Sequence, residues 1–117
     1  MADPRIRTIK IKAGVAKRLA KEKTVYEKEA EQQRARIEKY KQDGKDEYEI
    51  RKQEEVLQES LMMVPDCQRR LKVAYDELVK ILETEADLAE NEEYINAKKI
   101  LEDAKLQLPS STEVITT

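Results

Sequence analysis

Between Ile50 and Leu78 an apolar residue returns at every seventh position: Ile50, Leu57, Val64, Leu71 and Leu78. Ser60, Cys67, Ala74 and Ile81 hold the companion position three residues on. A repeat of this kind lays one stripe along one side of an α-helix, as in coiled coils and bundles. Asp46 with Glu49 three residues later is a variant of the capping box that opens a helix, so the spacing predicts a helix over about 46–88. Pro65 lies inside it. A proline removes a main-chain donor and crowds the preceding turn, at about 3 kcal/mol. The repeat nevertheless resumes in phase beyond Pro65, which nothing would require of a chain that reversed there. The phase favours one helix bent at Pro65. The competing reading ends the helix around 63–66, with Asp66 capping a fresh one.

Upstream, Asp3 is placed to cap and Pro4 to occupy the first helical position, where its missing N–H is harmless. Val15, Leu19, Tyr26, Ala30, Ile37 and Tyr40 then follow at steps of 4, 7, 4, 7 and 3, the spacing of one helix face. Gly44 supplies the left-handed residue that ends a helix, so the first helix is predicted over about 4–42. Downstream, Asn91 is the best cap, and Tyr94, Ala97, Leu101, Ala104 and Leu108 step by 3, 4, 3 and 4 before Pro109. A third helix is predicted over 91–108, with 109–117 a polar, disordered tail. The fold expected is all-α: an elongated antiparallel three-helix bundle, up-down-up, formed by residues 1–108.

Composition agrees with long helices. Charged residues make up 41% of the 117, with two Gly, three Pro and neither Trp nor Phe, so thin cores of aliphatic residues, Ala and Tyr suit the chain better than a thick globular one. Charge adds a topological argument. Residues 1–23 hold eight Lys/Arg against Asp3 and Glu22, a net of +6 in a chain of net −2, while residues 83–103 carry eight acids against two lysines. An up-down-up bundle with an unbroken second helix sets the basic start against Glu83, Glu85, Asp87, Glu90, Glu92 and Glu93. A break at Pro65 would not.

Enzymatic chemistry finds little material. There is no His, the usual neutral-pH acid/base and zinc ligand. Gly14 and Gly44 cannot build a phosphate-cradling loop. Cys67 falls on the seam and reads as a small buried apolar residue. No cofactor or metal is expected. Gly14, inside the first helix at about 1 kcal/mol relative to Ala, either permits close helix approach or is neutral. No stretch is long and apolar enough to span a membrane, the basic segment lacks the interleaved aromatics of a nucleic-acid surface, and the single cysteine fits a reducing compartment. The expectation is a cytoplasmic protein without membrane or nucleic-acid partners.

The repeat also fixes what points outward. Met62 lies opposite the seam, and Val73, eleven residues on, shares nearly the same face, with Pro65, Asp66 and Arg69 between. Apolar side chains flanked by charges form a plausible partner surface, although single exposed apolar residues are also ordinary. The candidate partner-binding residues are Glu59, Met62, Met63, Pro65, Asp66, Arg69 and Val73.

The run Leu57-Gln58-Glu59-Ser60-Leu61-Met62-Met63-Val64-Pro65-Asp66-Cys67-Gln68-Arg69-Arg70-Leu71 resembles the signature segment of the tubulin-folding cofactor A family. The opening Met1-Ala2-Asp3-Pro4-Arg5, Ile9-Lys10-Ile11-Lys12 and Tyr26-Glu27-Lys28-Glu29-Ala30 are also similar to it, so that the likeness covers residues 1–108. Leu61 departs from it, standing where members often carry Arg. The resemblance implies a rod with a proline-kinked middle helix. It also implies a cytosolic chaperone cofactor that captures β-tubulin released from the chaperonin and supplies it for pairing with α-tubulin by the other tubulin-folding cofactors, with the bent helix as main contact. A monomer is expected. The residues alone leave two other readings open: a self-associating or spectrin-like spacer, and a BAG-like co-chaperone for another client.

Overall fold

The computed structural model describes residues 3–109, so the expected tail from Ser110 onward lies outside the described residues. Three α-helices and one short 3-10 turn make up the described chain: α1 (Pro4–Gln42), α2 (Glu47–Thr84), the turn Ala86–Leu88, and α3 (Glu92–Lys105). No strand occurs among the described residues, and no helix among them is long and apolar enough to cross a membrane.

Each helix starts on a side-chain oxygen that takes an otherwise orphan main-chain N–H. Asp3 accepts from Arg5 N at 2.9 Å, Asp46 from Glu49 N at 2.9 Å, and Asn91 from Glu93 N at 2.8 Å. Gly44, at φ 71°, closes α1. The Gly44 N–H reaches the Lys41 carbonyl and the Lys45 N–H the Tyr40 carbonyl, the paired bonds of a Schellman motif.

α1 and α2 are antiparallel. Arg5 meets Glu85, Lys12 meets Glu77, and Gln33 meets Gln53, so numbers rise on one helix as they fall on the other. The charge polarity of the sequence is realised here through Arg5, which bridges Asp3, Glu85 and Asp87 at 2.9, 2.7 and 3.0 Å. α2 passes through Pro65 as a single helix. Because Pro65 has no N–H, the Leu61 carbonyl lacks its helical donor, the usual cause of a bend.

The core unites Ile9, Ala13, Ala16 and Leu19 of α1, Leu71, Ala74, Leu78 and Leu82 of α2, and Tyr94, Ala97 and Ala104 of α3. It occupies one end of the molecule only. α3 has 14 residues against 39 in α1, roughly 21 Å against 58 Å at 1.5 Å per residue. It runs beside the first half of α1, with Ile100, Ala104 and Gln107 lining a groove shared with Lys17, Ala20 and Thr24. Beyond that level the rod is a two-helix arm. Ile50, Leu57 and Val64 are therefore only half-buried, whereas Leu71 and Leu78, on the same seam, are fully buried.

Several positions differ from the sequence expectation. α2 ends at Thr84 rather than 88, and a 3-10 turn carries Leu88 back onto the core. The acids Glu83 and Glu85 oppose the negative end of the helix dipole, and Arg5 draws Glu85 and Asp87 into the turn instead. α3 ends at Lys105 rather than 108. On α1 the buried line is Ile9, Ala13, Ala16, Leu19, Lys23, Ala30, Gln33 and Ile37, whereas Val15, Tyr26 and Tyr40 are half-buried at its margin. Two polar residues thus occupy core positions. Lys23 is 6% exposed, with its ammonium 3.1 Å from Glu27. The Gln33 amide donates to the main-chain and side-chain oxygens of Gln53 at 3.0 and 2.7 Å. Gly14 packs against nothing, since a Cβ built there meets no atom within 4 Å.

Candidate partner-binding face

The outer face of α2 follows from which of its positions the bundle leaves uncovered. With Cys67, Leu71 and Ala74 turned inward, Met62 and Val73 project outward, 69% and 59% exposed. Glu59, Pro65 and Arg69 are exposed as well, while Met63 and Asp66 are half-buried. Six of the seven candidate residues therefore lie on or beside this face. Met63 lies at the helix margin, partly covered.

Asp66 is the polar organiser of the face. Its carboxylate accepts from Arg69 Nη2 at 3.2 Å, and Arg70 Nε lies 3.3 Å from the other oxygen. Exposed pairs of this kind add little stability. Their effect is positional, since they hold two guanidinium groups beside Pro65. Met62 and Val73 supply adaptable and branched apolar surface on either side.

The structure adds residues that the sequence reading did not include. Tyr48 is 66% exposed, and it lies two heptads before Met62 on the same line. The Lys52 ammonium sits 5.2 Å from its ring centroid. The seven-residue spacing that points Met62 outward was the available signal for Tyr48. On the opposite flank of Pro65 a shallow groove opens between the helices, lined by Glu27, Ala30, Glu31 and Arg34 of α1 and by Leu61, Val64 and Pro65 of α2. Leu61 is thus a groove residue, packed toward α1. Cys67 lies behind the face, 1% exposed. Burial pushes its thiol above the usual range, and the Glu22 and Asp66 charges add to this against Arg70. It is a packing residue.

A narrow helical rod with apolar and charged side chains displayed along one helix defines a protein-binding module. Residues 4–101 match the model of the family described as tubulin binding cofactor A, and this chain belongs to that family. A tubulin-specific chaperone A of Gallus gallus is 61% identical over 107 residues, which are 92% of this chain and 99% of that one. Among solved structures, the human tubulin chaperone cofactor A superposes with a TM-score of 0.76 at 56% identity, covering 87% of this chain and 99% of its own. The Arabidopsis thaliana tubulin folding cofactor A does so with a TM-score of 0.76 at 40% identity, covering 87% and 96%.

Proposed function

We propose that this chain is a non-enzymatic tubulin-folding cofactor that holds β-tubulin released from the cytosolic chaperonin and supplies it for assembly of the α/β heterodimer. The other tubulin-folding cofactors are indirect partners. Cytoplasm and cytoskeleton are the proposed setting, because that is where this client is made and used. The observation that carries the reading is the line Met62, Pro65, Arg69, Val73, left exposed on a helix whose opposite side is buried. Glu59, Met63 and Asp66 border that line, and the client is held along it. Apolar groups between charged ones bind a folded or nearly folded surface through area and through steering together. No site chemistry is needed for this role.

The chain acts as a monomer in this reading. Cys67, Leu71, Ala74 and Leu78 of the repeat are buried within its own bundle, so the half of the seam beyond Pro65 that would serve a coiled-coil dimer is already occupied. Purified chain mixed with β-tubulin should co-elute in gel filtration earlier than either component. Separate elution of both at micromolar concentration would exclude the function, and sedimentation equilibrium showing a tight dimer would exclude the monomer.

A further inference from the structure

We propose that α1 carries a second binding surface, a basic stripe that takes an extended acidic polypeptide segment. Between residues 7 and 28 eight Lys/Arg face two acids, in a chain of net charge −2. These cations divide into two sets. Lys12 turns to Glu77 of α2, and Lys23 is buried beside Glu27. Arg7, Lys10, Lys17, Lys21 and Lys28 are all exposed, and none forms an ion pair with a carboxylate among the described residues. Their spacings, with Gly14 between Lys10 and Lys17, are 3, 4, 3, 4 and 7, which keeps them on one helix face. Arg18 adjoins the stripe and reaches only Glu22, at 3.7 Å.

Gly14 is the independent sign. A glycine inside a helix lowers its stability, and here no neighbour requires the missing side chain, since a Cβ at Gly14 would meet only open space. It leaves a notch in the middle of the stripe where a foreign backbone can approach α1 closely. Beside the stripe, the groove between α1 and α3 has the apolar floor Ala20, Ile100 and Ala104. Asp103 is the acid lining that groove, and it forms no ion pair with Lys17 or Lys21.

The span from Arg7 to Lys28 is roughly 32 Å along the helix, which matches about ten residues of extended chain. An acidic peptide fits this better than other polyanions. The stripe is narrow, and the rest of the chain carries a net of −8, which repels a broad anionic surface while a single strand lies within the screening length of the lysines. Tyr26, the one aromatic residue of that stretch, is half-buried and offers no platform for bases. The stripe is on α1, not on the α2 line of Met62 and Val73. The proposal therefore stands or falls apart from the β-tubulin reading.

The test is fluorescence anisotropy of a labelled oligo-glutamate of about twelve residues titrated with the full chain. Saturable binding should appear near 50 mM salt and weaken about tenfold or more by 200 mM. The triple variant Lys10→Gln/Lys17→Gln/Lys21→Gln should lose about tenfold in affinity with unchanged thermal unfolding, and Lys12→Gln little. Gly14→Gln should weaken binding severalfold without loss of helix. No saturable binding at low salt, or equal binding by the triple variant, would overturn the proposal. Tighter binding of an oligo-dT of equal charge, or of phosphatidylserine vesicles, would overturn it too.

Discussion

The Tyr94 hydroxyl donates to the Leu82 carbonyl across 2.7 Å of buried space. α2 ends two residues beyond Leu82, at Thr84, so this carbonyl belongs to the last turn and would otherwise lack a partner. The first turn of α3 thereby closes the end of α2, and one bond ties the two segments that flank the turn Ala86–Leu88.

Tyr94→Phe should therefore act as the removal of a buried acceptor's only partner, destabilising the fold by about 1–2 kcal/mol. That corresponds to a fall in Tm of several degrees for a chain of this size. Thermal unfolding followed by circular dichroism measures it. A variant with unchanged Tm would mean that the Leu82 carbonyl finds water or another donor.

The acid side of the stability profile should depend on Asp3. Hydrogen bonds from the Arg5 side chain, and then from its main-chain N–H, hold the Asp3 carboxyl below its ordinary 3.8. A depressed folded-state value contributes stability that is present above the unfolded value and is lost as pH falls through the folded one. Below about pH 4, the wild type should lose stability more steeply than Asp3→Asn, which keeps a capping oxygen without the charge. Parallel urea midpoints of the two proteins down to strongly acidic pH would contradict this.

Cys67 should resist alkylation. A buried thiol whose ionisation is pushed upward presents little thiolate to a reagent, so iodoacetamide at mildly alkaline pH should react with the folded chain about tenfold or more slowly than with the chain in urea. Equal rates would show that the seam behind Pro65 opens freely.

Pro65→Ala restores a donor to the Leu61 carbonyl and removes a clash valued at about 3 kcal/mol in helix interiors. The expected result is a higher Tm with equal or greater helix content, accompanied by weaker capture of the partner because the exposed proline ring is lost from the displayed face. A lower Tm would mean that the packing of Val64 and Leu71 needs the proline's backbone.

Much of this architecture is legible in residue order, for physical reasons that differ by element. The phase of Leu57, Val64, Leu71 and Leu78 carried α2 through Pro65 because a buried stripe constrains rotation more strongly than one missing hydrogen bond does. Caps at Asp3, Asp46 and Asn91 were readable because short oxygen-bearing side chains have few other uses at those places. The true face of α1 was obscured by its composition. Ala13 and Ala16 are too small to stand out, and Lys23 and Gln33 fill core positions through a local ion pair and a cross-helix amide pair that no periodicity announces. The end of α2 has neither Gly nor Pro to mark it and depends on Arg5, some eighty residues away. The outward line at Met62 follows from the inward seam, but Tyr48 required following the same repeat in the other direction.

The central claim is that the outer face of α2 captures β-tubulin while contributing nothing to the fold. Anisotropy of labelled β-tubulin titrated with wild type and Met62→Glu, with thermal unfolding of the same samples, tests both halves at once. The account predicts affinity reduced about tenfold or more and a stability change within about 0.5 kcal/mol, as for a surface position. Equal affinity would remove Met62 from the interface, and a Tm lower by many degrees would place it in the core.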